Sequence, residues 1–533
     1  MTAARAPAGA SARPIVLLRS AWDESVAGRA VAFVRRSAES GLLRSALTAW
    51  EESWVGSLGK AVWLPAGAPA APGVSLIVPG LVALALLDAW AFNLSGGPAA
   101  RAPAAALTVA VAAASPRMGL YAFLIIAPLA GDILALAAAA AVVLSTAVHR
   151  LAAASWRPGP FAADLTRELR ERSDPALALL AGLLVAATAT SVAPAGSLRY
   201  LAVWALGFGL YWATTGLLRR AEDLTRAALA FGLSAVLSGL YGLYQVAVHV
   251  PAERAWIGAG FFPEMGTRVF AFWGNPNVFA LHLLLAGPLL AAVLWTAGSR
   301  KARVVVGLGV LTAGLALVLT LSRAGWFGFG VAVLFLGVVR DRRILAVGLL
   351  AALAALVIAP DVVLSRAATL TRFDDPTAVH RVRIWEASLR MVEDFWYSGL
   401  GLSWRAFTTI YPQYAIEGRF AFHAHSHYLQ TLIELGVIGF AAVHWVLLRP
   451  VGWAVRLSGR ARACPAGSLL TGAAAAVLAS LAFGLAEPIF YLPRPILLMW
   501  FVLGFAAAAR AALENETRPG RPVPASGGGP CPR

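Results

Sequence analysis

The stretch from Val304 to Val339, VVVGLGVLTAGLALVLTLSRAGWFGFGVAVLFLGVV, decides the fold class. It is apolar throughout except around Ser322 and Arg323, and it far exceeds the ~20 residues that one helix needs to cross a hydrocarbon core. A bilayer offers the backbone no hydrogen-bonding solvent, so such a run must be helical. It reads as two membrane helices, 303–321 and 323–340, with a turn at Ser322-Arg323 between them.

Working outward, similar runs recur at 74–94, 104–116, 118–131, 133–148, 176–194, 199–218, 226–250, 276–297, 343–360, 428–448, 466–486 and 493–510. The composition agrees. Of 533 residues, 59% are hydrophobic and 13% charged, against roughly 25% charged in soluble domains. The expected fold is an all-α polytopic bundle of about fourteen spans. The net charge of +17 would suggest a nucleic-acid partner in a soluble protein. Here the basic residues cluster in short segments between spans, which is the positive-inside pattern, so membrane lipids and not nucleic acid are the expected surroundings.

That pattern also orients the chain. The segments 149–173, 219–226, 299–303, 340–343 and 449–462 are rich in Arg and read as cytoplasmic. Three spans between 95 and 149 then place both termini inside, in a multi-pass bacterial inner-membrane protein. Residues 1–73 read as a cytoplasmic extension, 74–511 as the membrane domain and 512–533, rich in Pro, Gly and Ser, as a disordered tail. Two segments face the other side, 251–275 and the larger 361–427. A long hydrophilic insert in so economical a membrane protein is where binding or catalysis is expected. Within it, Val382, Trp385, Leu389, Val392 and Trp396 recur at spacings of three and four, opposite Arg383, Glu386, Arg390 and Glu393. This predicts an amphipathic helix that lies on the membrane surface or caps the bundle.

Three elements on that side carry chemistry. Arg323 lies at an outer turn, where the charge bias disfavours it. It is either a functional cation or an arginine snorkelling to headgroup phosphates. Arg268 precedes Gly274-Asn275-Pro276-Asn277, in which Asn275 suits an N-cap and Pro276 the first helical position. An Arg beside a helix N-terminus makes an anion site, phosphate above all, although capping alone explains Asn275 and Pro276. The third element, His423-Ala424-His425-Ser426-His427, holds three of the chain's eight histidines. Its alternation suits a general base, a metal site or a hydrogen-bonded structural role.

In this order the elements resemble the O-antigen ligase and polymerase superfamily of bacterial membrane glycosyltransferases. The matching stretches are RVFAFWGNPNVF (Arg268–Phe279), TLSRAG (Thr320–Gly325), RVRIW (Arg381–Trp385) and HAHSHYLQTLIELGVIG (His423–Gly439), with Gly399-Leu400-Gly401 and Phe407–Tyr411 between the last two. The resemblance implies an extracytoplasmic transferase whose donor is a polyprenyl-diphosphate-linked glycan. Its acceptor would be a hydroxyl of a glycan, lipid or protein. Arg268 and Arg323 would hold the diphosphate, with Asn275, Asn277, Arg381 and Arg383 as further substrate-binding candidates. His425 would be the general base, with His423 beside it. Ser426 stands where the family usually has Asn, and His427 is additional. Two arginines carrying the diphosphate charge remove the need for a divalent metal, and no cofactor is implied. A single in-line attack would invert the anomeric carbon. The alternative function is a transporter, which should place ionisable residues at mid-membrane. Asp88, Asp132, Glu434 and Glu487 are the acidic residues within or near the spans.

Overall fold

The computed structural model describes residues 102–155, 174–250, 268–358, 361–368, 376–462 and 464–517. The expected span at 74–94, the extension before it, most of the loop 251–275 and residues 518–533 lie outside the described residues. The helices are α1 (Ala102–Ala114), α2 (Pro116–Ile126), α3 (Asp132–Ser155), α4 (Pro175–Ala189), α5 (Pro194–Leu217), α6 (Ala221–Ala247), α7 (Pro276–Val293), α8 (Arg300–Leu319) and α9 (Arg323–Val339). They continue as α10 (Arg343–Ile358), α11 (Asp361–Ala368), α12 (Pro376–Phe395), α13 (Trp404–Ile410), α14 (His427–Arg456), α15 (Ser458–Ala461), α16 (Pro465–Phe483) and α17 (Pro493–Glu516). No strand occurs among the described residues, and the protein is an all-α polytopic bundle.

Among the described residues, seven helices, α3, α6, α7, α8, α14, α16 and α17, are long and apolar enough to cross a membrane. The shorter apolar helices α2, α4 and α9 join them. The region 104–148 forms three helices, and Arg117 sits at the start of α2, paired with Asp223 at 3.0 Å. Helix α17 runs to Glu516, past the boundary expected at 511.

Local signals set the helix ends. Asp174, Asn275, Ser299, Ser322 and Ser426 cap their helices through side-chain oxygens, and Pro begins α2, α4, α5, α7, α16 and α17. Helix α16, PAGSLLTGAAAAVLASLAF, is the hub. Its small side chains let α7, α9, α14 and α17 approach on all sides. At the periphery α8 exposes Val304, Leu308, Leu311 and Leu315 on one stripe. Such a stripe suits acyl chains and not water.

The large insert is not a free loop. Helix α12 packs on the bundle, but through Ile384, Ala387, Ser388 and Met391, all 0% exposed. The stripe read from the sequence is not the one that packs: Val382, Leu389 and Trp396 point outward, and Trp385 and Val392 are only partly covered. Spacing alone could not tell two overlapping apolar stripes apart; packing against Phe407 and Tyr411 of the same insert chose between them.

Helix α14 breaks at Gly436, where φ is 67° and ψ is −178°. The chain at 396–401 fills the break. Leu400 N–H donates to Ile433 O at 2.8 Å, Gly401 N–H to Glu434 O at 3.1 Å, and Val437 N–H to Trp396 O at 2.6 Å. A Cβ on Gly399 would stand 2.4 Å from Glu434 O, so only glycine fits there.

Candidate functional site

The site lies at the end of the bundle where α7 and α9 begin and where the insert docks. Arg268 is fixed first. Its Nε donates to Thr320 O at 3.0 Å and its Nη2 to Asn277 Oδ1 at 3.1 Å, and it is 8% exposed. The following backbone is held from below by Gln245, whose Oε1 accepts from Phe270 and Ala271 N–H. Arg494 holds it from the side. That residue donates to Phe272 O, Ala130 O and Asp132 Oδ1 and lies 4.3 Å from the centre of the Trp273 ring. Gly274 turns the chain with φ of 67°, and Asn275 Oδ1 accepts from Asn277 N–H at 2.8 Å. Asn275 is thus an N-cap that aims Asn277 at the site.

The second cation comes from the turn in the stretch that decided the fold. Ser322 Oγ accepts from Gly325 N–H at 3.2 Å, starting α9 with Arg323 as its first residue. Arg268 sits on the carbonyl of Thr320 in the same turn, and Arg323 acts on its charge. Arg366 of α11 donates to Leu321 O at 3.3 Å in the same turn. Sequence reading passed over Arg366 because α11 is short and far along the chain.

The histidine segment enters from the third side. Ser426 caps α14 by accepting from Leu429 N–H at 3.5 Å, and His427 N–H donates to Gly484 O at 2.7 Å. Capping is a role that Asn and Ser share, which gives the Ser at the family's Asn position a physical reason. His425 has φ of 47°. Its N–H donates to His423 Nδ1 at 3.2 Å, and its carbonyl accepts from Trp385 Nε1 at 3.1 Å. The His423 and His425 rings lie 4.2 Å apart edge to face. Burial pushes His423 down to about 3, so it is neutral. His427 turns the other way, 1% exposed among Thr431, His444 and Phe490.

Glu487, between α16 and α17, joins these parts. Its Oε1 accepts from Asn277 Nδ2 at 2.6 Å and pairs with Arg381, while Oε2 lies 3.7 Å from His425 Nδ1. Burial works against its charge, but Arg381 and His425 outweigh that and hold the carboxyl down to about 2. Burial lowers Arg268 to about 10 with Glu487 opposing, so Arg268 stays charged at neutral pH. Arg268 and Arg381 therefore act on the Glu487 carboxylate, and Arg323 acts on Arg268. Such a cluster of guanidinium groups suits an anion held where water competes poorly.

The structure thus brings together Arg268, Asn277, Arg323, Arg381, His423 and His425. Arg383 does not join them. It pairs with Glu386 at 3.2 Å and Glu417 at 3.5 Å on the outer surface of α12. Glu487 was weighed in the sequence as a possible mid-membrane acid; it lies instead in the loop beyond α16. The signal was there in Glu487-Pro488, an acid just past an apolar span on the same side as both arginines. Asp132, another acid of that group, is taken by Arg494 at 2.7 Å.

Residues 308–443 match the family model described as O-Antigen ligase. The match takes in Arg323, Arg381, His423 and His425, and stops short of Arg268 and Glu487 on either side. No curated protein matches the chain.

Proposed function

Because residues 308–443 form a domain of the O-antigen ligase and polymerase superfamily, we propose that this membrane protein transfers, or polymerises, a polyprenyl-diphosphate-linked glycan onto an acceptor hydroxyl at the extracytoplasmic face of the bacterial inner membrane. The observation that carries this reading is the convergence of Arg268, Arg381 and His425 on Glu487, with Arg323 acting on Arg268.

The chemistry follows from the charges. The acceptor oxygen attacks the anomeric carbon, and the bond from that carbon to the diphosphate breaks with its electron pair going to the leaving lipid diphosphate. Arg268 and Arg323 stabilise the growing charge on the phosphates in a fixed geometry that needs no reorganisation. The hydroxyl proton passes to His425. With Nδ1 turned toward Glu487 and carrying the proton, Nε2 is left to act as base, and the carboxylate stabilises the imidazolium that results. Arg381 keeps Glu487 ionised for this task. His423, neutral and accepting from His425 N–H, holds the backbone of the base and donates no charge.

The test is transfer by purified protein supplied with lipid-linked glycan and acceptor. His425→Ala is expected to lower turnover by about 100-fold or more while donor binding persists, with the deficit shrinking at high pH as hydroxide substitutes for the base. Chelator is expected to leave wild-type turnover unchanged. Chelator-sensitive activity restored by zinc would replace the base with a metal site.

A further inference from the structure

Below the histidine segment, two polar side chains of the membrane helix α14 form a chain of hydrogen bonds that the mechanism does not use. Gln430, 7% exposed, accepts from Ala424 N–H through Oε1 at 2.8 Å and donates to Glu434 Oε1 through Nε2 at 2.8 Å. The Glu434 carboxylate also accepts from the backbone N–H of Ser403. Ser403 is fully buried and has φ of 95°, a conformation that an L-residue adopts only when its surroundings impose it. The two residues line a small buried cavity with Trp204, His427 and Thr431.

A carboxylate and a carboxamide in a membrane helix are costly, and packing gives no reason for them. Their position does. One end of the chain grips the peptide unit that joins His423 to Ala424, one residue ahead of His425 with its φ of 47°, and the other grips the insert at its strained serine. His425 is then held on three sides: at Ala424 N–H by Gln430, at its own N–H by His423, and at its carbonyl by Trp385.

We propose that Gln430 and Glu434 are positioning residues for the transfer reaction, a relay that holds the His425 backbone in its left-handed conformation and so keeps the imidazole against Glu487. This rests on the reading of His425 as the base. The relay also couples docking of the insert at Ser403 to the geometry of that base. A site assembled from two segments of the chain is then competent only when both are seated.

The hydrogen bonds can be broken and restored by exchanging the two groups. In Gln430→Glu, two carboxylates face each other and the donor to Glu434 is gone. In Glu434→Gln, the new amide oxygen can still accept from Gln430 and Ser403. In the double exchange, residue 430 accepts from Ala424 N–H and from the new amide at 434, whose oxygen accepts from Ser403. The expected kcat falls about tenfold or more in Gln430→Glu with the donor KM within about twofold of wild type, stays within about threefold in Glu434→Gln, and returns to that range in the double variant. In an His425→Ala background, Gln430→Glu is expected to cause no further loss. Thermal melts establish that each variant is folded. Unchanged kcat in folded Gln430→Glu, failure of the double exchange to recover it, or an additive loss on His425→Ala each overturns the relay while leaving the base intact. Full activity of His425→Ala would instead remove the base, and the relay with it.

Discussion

Replacing Glu487 with Gln keeps the shape of the residue that joins the site and removes its charge. The wild-type carboxyl is held at about 2 against an ordinary 4.5. That difference corresponds to about 3 kcal/mol of folded-state stability at neutral pH, in line with the ~3–5 kcal/mol cost of breaking a buried ion pair by removing one partner. The folded value is the depressed one, so the contribution is complete above 4.5 and is lost as pH falls from there toward about 2. Glu487→Gln is therefore expected to melt below the wild type at pH 7, with the gap narrowing as the buffer is taken below 4.5. Its turnover is expected to fall by about 100-fold or more, because Arg381 and Arg268 then repel across an uncompensated site and His425 loses its counter-charge. The assay pairs thermal melts across pH with transfer rates on the same preparations. A variant that melts and turns over like the wild type, or a stability gap that persists unchanged in acid, refutes the reasoning.

Three further outcomes are expected. Arg323→Ala should abolish transfer while the protein accumulates normally in membranes, and Arg323→Lys should recover only part of it, since an ammonium lacks the planar fork; transfer assays beside membrane immunoblots check both. His427→Ala should lower stability by about 2–4 kcal/mol through a buried void and leave turnover per folded molecule near wild type, as read from melts and rates together. Ser426→Ala should cost about 1 kcal/mol as a lost cap, whereas Ser426→Asn should keep both the melt and the activity of the wild type.

The fold class was legible because lipid imposes one rule, that apolar runs long enough to span must be helices, and the run around Arg323 obeys it plainly. Arg268, Arg323 and His425 were legible because each stands out against its neighbours: cations where the charge bias opposes them, and histidines crowded together. Glu487 was legible only by its place just past an apolar span. Its partners Asn277, Arg381 and His425 are far away in sequence, and that place alone does not separate a transport site from an ion pair. The packed face of α12 was not legible for a different reason. Ile384 and Met391 form one apolar stripe and Val382 and Leu389 another, and only the docked Phe407 and Tyr411 select the first. Arg383 was carried along by its proximity to Arg381. Two residues apart on a helix means opposite directions, and only one of the pair can reach Glu487.

The break in α14 has a consequence for how the protein is made. A span whose backbone groups around Gly436 pair with residues 396–401 is poorly suited to rest in lipid as an independent helix, because each unpaired group left in hydrocarbon costs several kcal/mol. The insert is synthesised before the span it repairs, so the partner already exists when α14 is made. Membrane integration and completion of the site then become a single event. A chain whose insert has been deleted or misfolded would be caught at the stage of α14, as an unstable span open to quality control, and would not persist as an inserted but inactive protein.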